Sequence, residues 1–322
     1  MREFPFNRAR RRVLQLLALT LAGGCMLPPA QAAGAMLGAR VNDVFIISGA
    51  SGQLGELAIR EFLARGVPAR NLILVSRTPA ELAEFARLGA STRFGDVDKP
   101  ESLAEAYKGG TRMLMISLGV APGSPPRPPR HKVAFDAAAK AGVQQIAYTS
   151  FIGAGGQDLS GLAADHAQSE AFLRASGVAW TALRNGFYMD GLLRAALQMA
   201  ETGKATTRPG ERKSAPVTRQ DCAAVAVAAL LYPGHENKAY EITGPGLVDT
   251  AEVAGIVAAI SAKPVVVEAA APAGREGGSG AQTAEAPLVS TAVAELTGRP
   301  ATSVRQFLEA SRPQLVAAAA KR

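Results

Sequence analysis

The sequence predicts an α/β protein with a doubly wound parallel sheet and a smaller C-terminal α/β part on the substrate side. Three observations support this prediction. Short apolar runs alternate with helical patterns from Val44 to about Asn185. The first run, Val44–Ile47, is apolar at four successive positions, as in a strand that is buried on both faces. The chain has 322 residues, 48% hydrophobic and 19% charged, which is typical of a globular protein with a large core.

A glycine-rich turn follows this first strand, and a helical pattern follows the turn. In such a unit the first glycine allows a tight turn, the second allows close approach of a pyrophosphate, and the third allows the helix to pack on the strand. The free N–H groups at the helix N-terminus favour a bound phosphate. The sequence therefore predicts a dinucleotide site, although an ordinary strand-to-helix turn is the alternative. The expected contacts are Gly49, Ser51, Gly52, Gln53, Leu54 and Gly55.

Further strands are predicted at Asn71–Val75, Thr92–Phe94, Arg112–Ser117, Val143–Thr149 and Val178–Leu183. Helical patterns separate these runs. Strands that alternate with helices indicate βαβ units, whose right-handed crossovers bring the C-terminal ends of the strands to one edge of the sheet. A ligand binds at this edge in doubly wound sheets, so the residues that end each strand are candidate site residues.

Three of these strand ends carry candidate cofactor contacts. Arg77 follows the second strand, where an arginine suits the 2′-phosphate of NADP; a solvated surface arginine is the alternative. Asp96 follows the third strand and is placed either to approach the adenine amino group or to cap the next turn. Ser117, Leu118 and Gly119 end the fourth strand, beside the expected nicotinamide ribose.

The domain organisation follows from the same pattern. We assign residues 43–184 to a nucleotide-binding Rossmann core, and residues 185–312 to a part that supplies the substrate pocket and the closing helices. The segment Ala121–Pro129 holds five prolines and is predicted to be a stiff loop at the ligand edge. Residues 270–286 are rich in Gly, Ala and Ser and are predicted to form a flexible loop.

Residues 1–32 have the features of a secretory signal peptide. A charged stretch that contains Arg10 and Arg11 precedes the apolar run Val13–Gly24, and Ala30–Ala32 offers a cleavage site. The two arginines also match a twin-arginine export motif, so we expect a periplasmic protein. The alternative is a cytoplasmic protein whose translation starts at Met36. The apolar run is short for a membrane span, so no stable membrane insertion is expected.

Charge and cysteine content exclude several other classes of function. The net charge is +8, but residues 1–32 hold five arginines and one glutamate, and the remaining chain has a net charge of +4. It carries no dense basic tract with aromatic residues, so nucleic-acid binding is not expected. The two cysteines are Cys25 and Cys222, so a chain without its leader forms no internal disulfide. His131, His166 and His235 lack metal-ligand spacing, and no metal is expected.

Several segments together resemble the NmrA-like branch of the atypical short-chain dehydrogenases, and within it the type 2 NAD(P)H:quinone oxidoreductases. The matching segments are Ser48–Gly55, Ala139–Val143 with Ile146–Ser150, Leu183–Tyr188, Val217–Asp221 and Gly234–Glu241. The resemblance covers about residues 43 to 268 and resumes at Leu288. It implies NADPH bound along Gly49–Leu54, Arg77, Ser117–Gly119 and Asn185–Tyr188, with Asn185 and Phe187 among the contacts.

The resemblance also limits the reaction. Ordinary short-chain dehydrogenases pair a catalytic tyrosine with a lysine four residues later, but here Ile152 follows Tyr148 at that spacing. Alcohol oxidation by that route is therefore disfavoured, whereas quinone reduction needs orientation and a hydrogen-bond donor to the acceptor oxygen. Asn185, Tyr188 and Tyr148 are the candidate catalytic donors; a turn asparagine and a buried strand tyrosine are the alternatives. We expect an NADPH-dependent enzyme with a small-molecule quinone substrate; a non-catalytic NADP(H) sensor is the alternative, and a homodimer is left open.

Overall fold

Seven parallel strands form the main sheet of the computed structural model. They are β1 (Phe45–Ser48), β2 (Leu72–Ser76), β3 (Ser91–Phe94), β4 (Arg112–Met115), β5 (Gln145–Phe151), β6 (Ala179–Asn185) and β8 (Lys238–Ile242). Their spatial order is β3-β2-β1-β4-β5-β6-β8. The order reverses between β1 and β4, which is the switch point where doubly wound sheets bind ligands. This topology confirms the predicted fold class.

The structure describes residues 43–119, 123–157, 159–208, 210–270 and 288–322. The predicted leader at residues 1–32 lies outside these ranges, as does nearly all of the predicted loop at residues 270–286. None of the helices within these ranges is long and apolar enough to cross a bilayer.

Helices cover both faces of the main sheet. One face packs against α1 (Gln53–Ala64), α7 (Arg219–Leu231) and α9 (Ala292–Thr297). The other face packs against α3 (Leu103–Tyr107), α4 (Arg127–Lys140) and α5 (Gly161–Ala175). The central strands are therefore buried on both sides, and every residue of β1 and β2 is buried. This explains their continuous apolar runs.

Two predicted helices begin with a 3-10 turn rather than as continuous α-helices. The first has a turn at Pro79–Leu82 before α2 (Ala83–Arg87), and the second has one at Pro100–Ser102 before α3. The loop predicted at Ala121–Pro129 ends earlier than expected, because α4 already begins at Arg127. Two of the prolines lie in its first turn, where the missing N–H group has no intrahelical partner to lose.

The chain after β6 contributes alternately to the main sheet and to a second, separate cluster of helices and strands. It forms α6 (Met189–Thr202) and β7 (Lys204–Thr207), returns to the main sheet with α7 and β8, and then leaves it again. A second cluster contains α6, α8 (Thr250–Ser261), α10 (Val304–Ala310) and α11 (Arg312–Ala319). In this region β7 pairs in parallel with β9 (Val266–Ala269). Residues beyond 185 thus supply both the main sheet and this separate apolar cluster.

Candidate functional site

A cleft of about 490 Å³ opens at the C-terminal edge of β1, β2, β3 and β4. Eight predicted cofactor contacts line it: Gly49, Ser51, Gly52, Arg77, Asp96, Ser117, Leu118 and Gly119. Lining residues that sequence reasoning missed include Ser76, Gly95, Ser124 and Arg130. Since these residues come from separate turns, the fold brings the predicted strand ends together as expected.

The turn after β1 has the geometry that its glycines require. Gly49 has a φ of +88°, and its N–H group donates to the Val75 carbonyl at 3.0 Å. A Cβ at Gly55 would lie 2.4 Å from the Gly49 oxygen, so only glycine allows the helix to start this close to the strand. The N-cap residue Gly52 provides no side-chain cap, so the first N–H groups of α1 remain available to an anion. The turn therefore fits a pyrophosphate.

Two other predicted residues of this turn, Leu54 and Gly55, lie beneath the cleft rather than on its surface. Leu54 is 6% exposed and packs in the core, and Gly55 is buried against the turn. Gln53 is the exposed first residue of α1. Leu54 and Gly55 thus shape the cleft through packing, whereas Ser51 contacts the end of β2 through a 2.7 Å hydrogen bond to the Ser76 hydroxyl.

Two arginines lie at the β2–β3 end of the cleft, and one of them is paired with an aspartate. Arg77 is exposed there, and Arg130 of α4 lines the same cleft. The Arg130 Nε group donates to Asp98 Oδ1 at 2.7 Å. Arg130 holds the pKa of that carboxyl below its usual range, and the Arg77 charge contributes to the same effect. Two guanidinium groups at one end of the cleft suit a phosphate monoester.

Asp96 has the turn role that was one of its two predicted alternatives. Its Oδ1 atom accepts a hydrogen bond from the Asp98 N–H group at 3.1 Å, and it also lines the cleft. Such a bond to the backbone two residues on is typical of aspartate in a turn.

Tyr148 lies in a buried network rather than on the cleft surface. The residue is fully buried, and its hydroxyl lies 2.8 Å from His166 Nδ1 and 3.1 Å from His131 Nδ1. Burial raises the pKa of Tyr148 and lowers the pKa of each histidine to about 3, so all three side chains are neutral near pH 7. This placement argues against the expected role of Tyr148 as a donor to the acceptor.

Asn185 ends β6 at the same edge of the sheet and carries an unpartnered polar atom. The residue is 3% exposed, and its Nδ2 group donates to the Tyr188 hydroxyl at 3.2 Å. Its Oδ1 atom has no hydrogen-bond partner among the residues that the structure describes. If the amide is flipped, the unpartnered atom is Nδ2 instead, so one amide position is open in either orientation. A buried polar atom of this kind is costly unless a ligand completes it.

Aromatic and cationic side chains surround this asparagine. Phe187 is 42% exposed, and its ring meets Phe151 edge to face with centroids 5.3 Å apart. The Arg219 guanidinium lies 4.3 Å from the centre of the Tyr188 ring. Burial raises the pKa of Tyr188, which keeps its hydroxyl protonated. The group presents hydrogen-bond donors beside an apolar wall.

An ion cluster fixes the backbone next to Asn185. Arg184 donates to both Glu170 Oε2 at 2.8 Å and Glu241 Oε1 at 3.0 Å, and Glu170 also accepts from the Ser150 hydroxyl at 2.6 Å. A Cβ at Gly155 would lie 2.0 Å from Arg184 Nη1, so the loop after β5 packs directly on this arginine. Sequence reasoning missed the cluster because its members lie on four separate segments.

Within the described ranges, no group of three or more His, Cys, Asp or Glu side chains is placed to hold a metal ion. Cys222, the one cysteine in these ranges, is buried, and burial raises the pKa of its thiol.

Comparison with known proteins agrees with this site. Residues 49–233 match the family model described as NAD(P)H-binding. Quinone oxidoreductase 2 of Escherichia coli K12 is 36% identical over 222 residues, which cover 69% of this chain and 76% of that protein. NAD(P)H azoreductase of Xenophilus azovorans is 31% identical, with 69% and 75% covered.

Comparison with a solved structure also supports an NAD(P)H-binding protein. The triphenylmethane reductase of Citrobacter sp., crystallised with NADP(H), superposes with a TM-score of 0.73 and 28% identity. The match covers 83% of this chain and 99% of that one. These matches confirm the resemblance inferred from the segments around Gly49, Tyr148 and Asn185. The chain belongs to the NAD(P)H-binding family. Like its relatives, it is an NAD(P)H-dependent oxidoreductase.

Proposed function

We propose that the protein uses NADPH to reduce a quinone by transfer of a hydride. The bound cofactor supplies the hydride, and the protein supplies binding, orientation and hydrogen bonds. The curated relatives are named for reducing quinones and azo compounds, and both kinds of acceptor are flat and conjugated. The exposed Phe187 ring beside Phe151 offers a matching apolar surface.

The residues of the cleft fit the cofactor part by part. The turn at Gly49–Gly52 and the start of α1 would hold the pyrophosphate, and Arg77 would bind the 2′-phosphate. Arg130 lines the same cleft as Arg77 and would share that charge. The turn at Ser117–Gly119 would support the ribose next to the nicotinamide.

The Asn185–Tyr188 pair carries the proposal of catalysis. With Asn185 Nδ2 bonded to the Tyr188 oxygen, the free donor is the Tyr188 O–H group; with the amide flipped, the open amide position is an N–H donor. As negative charge grows on a quinone oxygen, a fixed N–H or O–H donor stabilises it without reorganising. Asn185 and Tyr188 are neutral, lie 3.2 Å apart, and are held by the Arg184 cluster and by Arg219. Neither is a strong acid, so acceptors that need protonation before hydride arrives should react poorly.

The test compares Asn185→Ala with the wild-type protein. We expect kcat for quinone reduction to fall roughly 100-fold, which is the usual effect of losing one donor to a developing oxyanion. The NADPH Kd should change by less than about threefold if the amide meets the acceptor rather than the cofactor. The measurement is nicotinamide absorbance with a panel of simple quinones.

Gln198→Ala is the matched control, because it removes an exposed amide from α6. It should leave both quantities unchanged. An Asn185→Ala protein with wild-type kcat would contradict the proposed role. Wild-type protein that binds NADPH tightly but oxidises it with no quinone would favour the sensor.

A further inference from the structure

The backbone that leaves β4 is held at successive positions by side chains from other elements. The Ser117 N–H group donates to Thr149 Oγ1 at 2.8 Å. The Leu118 N–H group donates to His131 Nε2 at 3.0 Å, and Arg127 Nη1 donates to the Leu118 carbonyl at 3.4 Å. Both polar groups of Leu118 are therefore fixed by α4, just where the chain enters the cleft.

The hydrogen bonds define which nitrogen of each histidine carries the proton. The backbone N–H of Leu118 can only donate, so His131 Nε2 accepts and the His131 proton is on Nδ1. This proton points to Ser169 Oγ, 2.9 Å away. Arg127 likewise can only donate to His166 Nε2, at 3.2 Å, so His166 carries its proton on Nδ1 and donates it to the Tyr148 hydroxyl.

This arrangement is buried and is anchored on α5. His131 is 1% exposed, His166 is 4% exposed and Arg127 is 7% exposed. Arg127 also forms an ion pair with Asp165 of α5, with Nη2 and Oδ2 3.0 Å apart. Ser169 donates in turn to the Asp165 carbonyl at 2.9 Å, which closes the network on α5. Buried polar groups bonded at several points in this way favour one local arrangement.

We propose that His131 is a positioning residue for the cofactor, acting through the Leu118 peptide. Its neutral Nε2 atom fixes the plane of that peptide and thereby the part of the cleft that would support the nicotinamide ribose. Ser169 accepts the Nδ1 proton and so favours this tautomer. Tyr148, His166 and Arg127 surround the imidazole and take no part in proton transfer to the acceptor. The inference rests on the proposed NADPH site and does not depend on the identity of the acceptor.

Two conservative variants separate positioning from simple packing. In His131→Gln the side-chain amide places an acceptor near the Nε2 position, so we expect an NADPH Kd within about threefold of wild type. In His131→Asn the acceptor lies near the Nδ1 position and does not reach Leu118, so we expect Kd to rise about tenfold. Nicotinamide fluorescence titration measures both, and thermal unfolding is recorded alongside.

A second readout needs no cofactor. Without NADPH, hydrogen exchange of peptides that cover residues 116–119 should be faster in His131→Asn than in wild type, and close to wild type in His131→Gln. Equal losses of NADPH affinity in both variants would indicate a packing role only and would overturn the proposal, as would wild-type affinity in His131→Asn.

Thr149→Val provides an independent variant in case His131→Asn does not fold. It removes the acceptor of the neighbouring Ser117 N–H group at nearly constant volume and should also weaken NADPH binding. Its matched control is Thr181→Val, which alters a buried threonine of β6 bonded to the His235 carbonyl at 2.8 Å, and should leave NADPH affinity unchanged.

If wild type binds NADPH but reduces no quinone, the quinone proposal fails while the difference between the His131 variants persists. If Thr149→Val binds NADPH as tightly as wild type, the proposal that side chains position this turn for the cofactor is wrong.

Discussion

Arg77 is the residue that bears most directly on the choice between NADPH and NADH. Its guanidinium is exposed at the end of β2, lines the cleft and lies near the Arg130–Asp98 ion pair. A guanidinium binds a phosphate through two parallel hydrogen bonds but gains little from a free ribose hydroxyl. We therefore expect Arg77→Ala to weaken NADPH binding roughly 10- to 150-fold, since a charge-assisted contact contributes about 1.5–3 kcal/mol. NADH binding should hardly change.

Titration of both cofactors checks this expectation. Arg87→Ala is the control, because Arg87 is an exposed arginine of α2 that bonds only to the Ala83 carbonyl among the contacts described. An Arg77→Ala protein with unchanged NADPH affinity would rule out the proposed phosphate contact.

Single residues differ in how far the sequence alone can predict them. The places of Gly49, Gly55 and Arg77 were predictable, because they follow from positions just after a strand; the phosphate contact of Arg77 stays a prediction. The buried network of His131 and His166 was not, because it depends on how α4 packs against α5. Tyr148 was a candidate donor to the acceptor, with a buried strand tyrosine as the alternative, and only the fold shows that two histidines lie beside its hydroxyl.

At the scale of elements, the close contact between β1 and α1 depends on Gly55. A Cβ there would lie 2.4 Å from the Gly49 oxygen and 2.6 Å from the Ala50 oxygen, and neither backbone atom is free to move far. Gly55→Ala should therefore reduce the free energy of unfolding by about 1–3 kcal/mol, the usual cost of overpacking. It should also weaken NADPH binding, because the turn must widen.

Urea unfolding followed by circular dichroism measures the change. Gly255→Ala is the matched control: it lies within α8, and a Cβ there would meet no atom within 4 Å. This substitution should stabilise the protein by up to about 1 kcal/mol, because alanine favours a helix more than glycine does. Equal effects of the two substitutions would contradict the packing argument.

The elements themselves were largely predictable, and their ends were not. The apolar runs identified β1 to β6 along the chain, because strands buried on both faces are apolar throughout. The start of α4 at Arg127 was not predicted, because the segment Ala121–Pro129 was expected to be a loop. Prolines usually end helices, yet they are accepted in a first turn. The pairing of β8 beside β6 needed tertiary information, since α6, β7 and α7 intervene.

At the scale of the whole molecule, the cleft and Asn185 lie along the same edge of the main sheet. The cleft lies between the ends of β3 and β4, and Asn185 lies two strands further on. Parallel strands produce this arrangement without any local signal beyond their alternation with helices. Export through residues 1–32 and the formation of a homodimer stay predictions, since neither is determined by the described residues.

The reaction proposed for the C-terminal edge of the main sheet is hydride transfer from NADPH to a quinone. The most direct measurement is anaerobic mixing of the protein with limiting NADPH and a simple quinone, followed by quantification of NADPH consumed and quinol formed. We predict equal amounts of the two, and a slower reaction when the transferred hydrogen of NADPH is replaced by deuterium. Bound NADPH that remains unoxidised with every quinone would contradict the claim.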